Sequence, residues 1–179
     1  MFIFTQIDLQ IMEWIQNNLQ SEGMTQIMRF ITHIGDLMLL WAILLMLYFI
    51  IKKDKTRSKK IFFSLLLTFI INELVLKNIV RRPRPFVEND HLQSLIHKPT
   101  SYSFPSSHSA TSFSVATSLT KIKPIITICS YTLATLIAFS RVYLNVHHPS
   151  DVVVGAIIGI LSSYVVSRVL DKDKYKKSV

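Results

Sequence analysis

With one cysteine in 179 residues, the chain has no disulfide framework and no zinc-ligand spacing. That cysteine, Cys129, lies inside an apolar run and reads as a small packed residue. Charge is also scarce. Asp, Glu, Lys and Arg make up 17% of the chain, against roughly 25% in an ordinary soluble domain. Acidic residues are the scarcer kind, 11 against 20 basic ones, which gives a formal net charge of +9. In a soluble chain that balance suggests nucleic acid, but no DNA- or RNA-binding motif accompanies it. The cations sit in short loops between apolar segments, as in membrane topology signals. The first residues lack the basic region and small-residue cleavage site of a signal peptide. No repeat or low-complexity segment breaks the chain, and its few Gly and Pro residues mark turns without outlining a linker. What is abundant is apolar surface: 50% of residues are hydrophobic and the mean hydropathy is +0.37. By length this is one domain, residues 1–179.

A bilayer core of about 30 Å takes about 20 mostly apolar residues per helix. The first span centres on Leu37–Ile51 and can borrow Ile27–Ile34; the second covers Ile61–Val80. The third, Ser107–Thr120, is rich in Ser, Thr and Ala, which suits packing against other helices better than lipid. The fourth runs from about Pro124 to Leu144 and the fifth from Asp151 to about Leu170, before a basic tail over 171–179. At the N-terminus, over residues 1–23, Ile7, Ile11, Ile15 and Leu19 repeat at helical spacing with Met12 and Trp14. Asp8, Glu13, Gln16 and Asn17 fall on other faces. This is an amphipathic helix, either interfacial with Trp14 as anchor or a short sixth span. The expected fold is therefore all-α, an integral membrane bundle of about five transmembrane helices plus this segment.

Placing the N-terminus outside puts Lys52, Lys53, Lys55, Arg57, Lys59, Lys60, Lys121, Lys123, Lys172, Lys174, Lys176 and Lys177 in the cytoplasm. These are 12 of the 20 basic residues and satisfy the positive-inside rule. The same assignment places three polar clusters on the extracytoplasmic side, in a multi-pass protein of the cell membrane with a cytoplasmic C-terminus. Ionisable residues beside membrane spans are costly and so mark functional sites.

In the first cluster, Pro83 and Pro85 forbid a helix from continuing past Arg82, so the chain folds over its own end. That turn can bring the Arg84 fork and the Lys77 ammonium to one anion. Arg81 and Arg82 are read as lying among lipid headgroups. In the second cluster, Ser106 can cap a helix or donate to an anion, and His108, one turn in, can protonate a leaving oxygen. In the third, Asp151 lies four residues after His147 and can orient its ring, while Arg141 adds a third cation. His148 has no assigned partner and is read as structural or rim. His91, His97, His108, His147 and His148 form no helical His-x-x-x-His pair, and no carboxylate-rich set suits a two-metal centre. No metal and no cofactor is expected.

Taken in order, Lys77-x6-Arg84-Pro85, Pro105-Ser106-Ser107-His108 and Ser140-Arg141-x5-His147-x3-Asp151 resemble the type 2 phosphatidic acid phosphatase family. That family shares its site with vanadium haloperoxidases. The likeness covers roughly residues 72–155, and it is the three ordered motifs together that make it specific. It implies a helical bundle with its site near the outer membrane surface and a metal-free phosphohistidine mechanism. His147 would be the nucleophile, Asp151 its orienter and His108 the acid; Lys77, Arg84, Ser106, Ser107 and Arg141 would hold phosphoryl oxygens. Ser107 replaces the glycine usual in the second motif, which keeps the backbone N–H but loses a glycine's close approach. The implied partner is a membrane lipid phosphate or diphosphate in the bilayer, the candidate headgroups including undecaprenyl pyrophosphate, phosphatidylglycerophosphate and phosphatidic acid. Loop 86–104, with Glu88 and Asp90, is the expected selectivity element. A vanadate-dependent peroxidase and a non-catalytic lipid-phosphate binder are the readings from other classes. Oligomeric state is not legible.

Overall fold

The structure is a computed structural model that describes residues 5–36, 38–120 and 122–176. Leu37, where the first expected span begins, Lys121 of the cytoplasmic turn, and Lys177 with the end of the tail lie outside the described residues. All regular structure described is helical: α1 (Thr5–Leu19), α2 (Glu22–Asp36), α3 (Met38–Ile51) and α4 (Lys55–Phe69), which continues through a π-helical stretch (Ile70–Leu76) into α5 (Lys77–Val80). Then follow α6 (Pro85–Glu88), α7 (Ser107–Ser118), α8 (Pro124–Tyr143) and α9 (Pro149–Lys176). Three helical runs among the described residues are long and apolar enough to cross a bilayer: Lys55–Glu88, Pro124–Tyr143 and Pro149–Asp171. Ala42–Ile51 is a shorter apolar helix.

Local sequence sets the element ends. The Asp54 carboxylate accepts from the Arg57 N–H and caps α4. Arg81 takes a left-handed conformation at φ 48° and stops α5, and Arg84 is extended, as a residue before proline must be. The chain thus leaves the helix where the two prolines are expected to force it. Pro85 and Pro124 each open the next helix at a position that needs no N–H. The tail expected from Asp171 instead continues α9 as helix to Lys176.

α7 occupies the third expected span, Ser107–Thr120, whose small residues are expected to pack against other helices. Its 12 residues extend about 18 Å, and Ser109, Ala110, Ser112, Ser114, Val115, Ala116 and Ser118 are all buried. It is an inner helix, enclosed by α4, α8 and α9. The enclosure depends on small residues. A Cβ at Gly159 would stand 2.1 Å from the Ala110 carbonyl oxygen, and one at Gly155 would stand 2.6 Å from the Ser106 carbonyl oxygen. Hydroxyls join the same contact, with Ser118 Oγ and Ser163 Oγ 2.8 Å apart. The opposite face of α9 exposes Val153, Ile157, Leu161, Val165 and Val169, one apolar stripe at helical spacing for lipid.

Among the described residues α1 runs for 15 residues, about 22 Å of helix. It docks through Thr5, Asp8, Met12 and Ile15, while Ile7, Ile11 and Trp14 face outward. Asp8, expected off the apolar face, is buried. Tyr143 of α8 secures the α1–α2 turn: its carbonyl accepts from Gln20 Nε2 at 2.9 Å and its hydroxyl accepts from the Ser21 N–H at 3.2 Å.

The α7–α9 contact yields a paired prediction. Gly159→Ala lowers stability by about 1–3 kcal/mol, because its methyl meets backbone that cannot yield. Gly23→Ala, where a Cβ meets nothing within 4 Å, changes stability by less than about 0.5 kcal/mol or raises it slightly through helix propensity. Thermal unfolding of both variants in detergent decides this; equal effects would contradict the packing account.

Candidate active site

A cavity of about 1010 Å³ opens at the end of the bundle where α2, α5, α7 and α8 terminate or begin. Its lining includes Lys77, Arg84, Ser107, His108, Arg141 and His147, so six of the eight residues singled out in the sequence share one space. The other two stand behind it. Ser106 is fully buried and caps α7, its hydroxyl accepting from the Ser109 N–H at 3.5 Å. Asp151 is fully buried at the start of α9, and its carbonyl oxygen accepts from the Ser106 N–H at 3.0 Å.

His147 sits in the short connection between α8 and α9, 2% exposed. Arg84 Nη1 donates to its Nε2 at 3.3 Å and to the Val146 carbonyl at 2.6 Å. An arginine can only donate, so Nε2 presents its lone pair and the ring proton resides on Nδ1. Nδ1 points at Asp151 Oδ2 across 3.6 Å, beyond hydrogen-bond length. Burial holds the imidazole far below its ordinary value, down to about 3; Asp151 opposes that shift, and Arg84 and Arg141 reinforce it. The ring is neutral at physiological pH, with an unprotonated nitrogen facing the cavity. Such a nitrogen can act as a nucleophile.

The remaining cavity groups are tightly tethered. Arg84 also donates from Nε to the Ser101 carbonyl at 2.8 Å and from Nη2 to Ser101 Oγ at 3.1 Å. Arg141 donates from Nη1 to Thr32 Oγ1 of α2, and its buried Nε has no hydrogen-bond partner among the described residues. His108 Nε2 lies 2.6 Å from Asp36 Oδ1 at the end of α2. Because the carboxylate accepts, Nε2 carries a proton. Lys77 Nζ donates to both oxygens of Glu73, each at 3.0 Å, and to Ser107 Oγ at 2.9 Å. Among the described residues no three His, Cys, Asp or Glu side chains converge to hold a metal ion.

Two expectations are corrected behind the cavity wall. Arg82, expected among headgroups, is 2% exposed and bridges two buried carboxylates: Nη1 donates to Asp151 Oδ1 at 2.8 Å and Nη2 to Asp8 Oδ2 at 2.8 Å. Asp8 also accepts from the Ser150 N–H at 2.9 Å, which ties α1 to the start of α9. His148, expected without a partner, is fully buried and spans two acids. Its Nδ1 is 3.1 Å from Asp151 Oδ2 and its Nε2 is 3.0 Å from Glu88 Oε2. Asp151 Oδ2 further accepts from Ser103 Oγ at 2.5 Å and from the His148 N–H at 2.9 Å. Sequence reasoning missed Asp8, Asp36, Glu73 and Ser103. For Asp8 a signal existed, since it shares a helical face with Met12 and Ile15 at spacings of four and seven.

Because Arg82 is the cation shared by Asp8 and Asp151, Arg82→Met leaves two buried carboxylates without it. Loss of one partner from a buried ion pair costs about 3–5 kcal/mol. The variant is expected to unfold at markedly lower temperature in detergent, with Asp8→Asn milder because it keeps the shape and one acceptor. Wild-type unfolding by Arg82→Met would contradict the bridge.

Residues 57–175 match the family model of the PAP2 superfamily. An undecaprenyl-diphosphatase from Sulfolobus acidocaldarius is 32% identical over 125 residues, 68% of this chain and 61% of the relative, so the chain spans about three fifths of that protein. Phosphatidylglycerophosphatase B of Bacillus subtilis is 30% identical over 172 residues, covering 87% of this chain and 80% of the relative. Among solved structures, Aquifex aeolicus LpxE superposes with a TM-score of 0.82 at 27% identity, covering 94% of this chain and 99% of that one. The ordered motifs, the helical bundle with an enclosed α7, and these matches agree: the chain belongs to the PAP2 superfamily.

Proposed function

We propose that this membrane protein hydrolyses a lipid phosphate or diphosphate through a phosphohistidine intermediate, with its site at the outer face of the cytoplasmic membrane. The observation that carries the reading is His147. It is a buried, neutral imidazole whose unprotonated Nε2 faces a cavity lined also by Lys77, Arg84 and Arg141. The activities named for the relatives, on undecaprenyl diphosphate and phosphatidylglycerophosphate, support the substrate class.

The proposed steps use only these side chains. The Nε2 lone pair of His147 attacks phosphorus, and the bond from phosphorus to the leaving oxygen breaks with its electron pair going to that oxygen. His108 enters this step as the imidazolium, gives that oxygen a proton and is left neutral. As Nε2 becomes bonded to phosphorus the ring gains positive charge, which draws Nδ1–H towards Asp151 across the 3.6 Å gap. Lys77, Arg84 and Arg141 offset the charge building on the phosphoryl oxygens, a preorganised electrostatic role. Water then attacks phosphorus and passes a proton to His108. The phosphorus–nitrogen bond breaks, which returns neutral His147 and orthophosphate.

Sidedness rests on two supports. Asp151 and Asp171 lie 20 residues apart on α9, about 30 Å, so the cavity and the Lys60–Asp171 pair, 2.8 Å, lie near opposite ends of a span. The basic segments collect at the Lys60 end, which the positive-inside rule makes cytoplasmic. On this reading α1 lies at the outer interface, with its exposed Ile7, Ile11 and Trp14 towards lipid.

The test is phosphate release by purified protein in EDTA, assayed on undecaprenyl diphosphate, phosphatidylglycerophosphate and phosphatidic acid. His147→Ala is expected to abolish release, and His108→Ala to slow it by about 10²–10⁴-fold, the usual range for a positioned acid. The fastest lipid identifies the substrate. Release that survives in His147→Ala would overturn the mechanism, and no release from any of the lipids would favour a non-catalytic binder.

A further inference from the structure

Lys77 lines the cavity as one of the proposed phosphate-binding cations, yet it already holds an anion. Its Nζ donates to both carboxylate oxygens of Glu73, at 3.0 Å each, and to Ser107 Oγ at 2.9 Å. The Ser107 hydroxyl in turn donates to Glu73 Oε1, which also accepts from Asn72 Nδ2 at 2.9 Å. Every partner of this carboxylate is a donor, the environment of an ionised acid. Glu73 is 29% exposed on its side chain and lines the same cavity as Lys77, Ser107, Arg84, Arg141 and His147. Its position is built in: it lies on the π-helical stretch and one turn before Lys77. π-helical turns are uncommon and gather at functional sites. Ser107 is the position at which this chain departs from its motif, and a glycine there would have no hydroxyl to bind the carboxylate.

A phosphoryl group that uses Lys77 must therefore meet Glu73. Two anions cannot both take the donors of one ammonium and one hydroxyl, and their like charges repel across a short distance in a partly dry cavity. We propose that Glu73 is a specificity-determining residue, a built-in carboxylate that competes with the substrate phosphate for Lys77 and Ser107 and keeps the affinity of the site for free orthophosphate low. This rests on the phosphatase reading above and deepens it. In that setting the competition matters most after hydrolysis. The lipid substrate gains affinity from its chains in the bilayer, whereas orthophosphate has only the cage to hold it. A carboxylate that reclaims Lys77 and Ser107 thus weakens product more than substrate and speeds its departure.

The opposite role for Glu73 would be to position Lys77 for phosphate, and the two roles give opposite results when the charge is removed. Glu73→Gln keeps the size of the side chain. Under the competition account it tightens binding of inorganic phosphate roughly tenfold, the factor that 1.4 kcal/mol represents, and lowers KM for the lipid without lowering kcat/KM. Glu73→Ala removes the carboxylate altogether, leaves the Lys77 and Ser107 donors in place for phosphate, and tightens orthophosphate in the same direction. This second variant decides the matter should Glu73→Gln fail to fold.

The experiment is calorimetric titration of inorganic phosphate into the full detergent-solubilised chain, wild type and both variants, beside steady-state phosphate release. Tighter orthophosphate binding in the variants supports the proposal. Unchanged or weaker binding overturns it, and weaker binding with a fall in kcat/KM would make Glu73 a positioning residue. Binding needs no turnover, so the two readings fail separately. Wild-type turnover without tightening in the variants sinks the Glu73 proposal alone, and tightening in a protein with no turnover sinks the phosphatase reading alone.

Discussion

A carboxylate sits fully buried at the first turn of α9, and much of the polar structure around the cavity keeps it there as an anion. Asp151 commits each oxygen to donors: Arg82 on one, and Ser103 with both the backbone and the ring of His148 on the other. An ionised acid in such surroundings persists only when its partners are supplied by structure, since removing any of them leaves a charge out of water. The partners come from four separate places: the turn after α5, the loop before α7, the α8–α9 connection and, through Arg82, Asp8 on α1. Holding them together fixes how these segments meet. The proposed site for phosphate chemistry at the end of the membrane bundle thus also acts as the clasp that closes that end.

The clasp explains an asymmetry in His147. Its ring is oriented from the cavity side by Arg84, at 3.3 Å, and only loosely from behind by Asp151, at 3.6 Å. Asp151 has no strong acceptor role left for a neutral ring, because its other partners occupy it. When the ring acquires charge, the nearest approach is along Nδ1–H. Under the proposed mechanism the arrangement responds to the charged intermediate more than to the resting imidazole, which is the direction that catalysis requires. The packing of α7 against α9 serves the same end. Gly155 and Gly159 let the Ser106 and Ala110 carbonyls approach within contact distance, which brings His108 and Asp151 to adjoining ends of two touching helices.

Residues related by short spacing are legible in the sequence itself. Lys77 to Arg84, His147 to Asp151 and the two prolines between α5 and α6 obey local rules, and the long apolar runs of α8 and α9 announce themselves by composition. The residues that sequence alone misplaces are those whose meaning lies far along the chain. Arg82 meets Asp8 at a separation of 74 residues and Asp151 at 69, and His148 meets Glu88 at 60. No periodicity connects such pairs, so an arginine beside a proline reads as a headgroup contact and the histidine beside His147 reads as idle. The inner position of α7 is legible too, since Ser, Thr and Ala suit close packing against other helices better than lipid. The π-helical stretch that presents Glu73 has no local signature at all, since the apolar residues around it fit an α-helix equally well.

The central claim is that phosphorus is bonded to His147 during turnover. Rapid acid-free quenching of the enzyme with a lipid carrying ³²P at the reacting phosphoryl group, followed by peptide mapping, tests this directly. The account predicts a labelled peptide containing His147 whose linkage survives base and is lost in mild acid, as a phosphorus–nitrogen bond should be. Label on any other residue, or turnover with no labelled enzyme under conditions that trap it, would contradict the account.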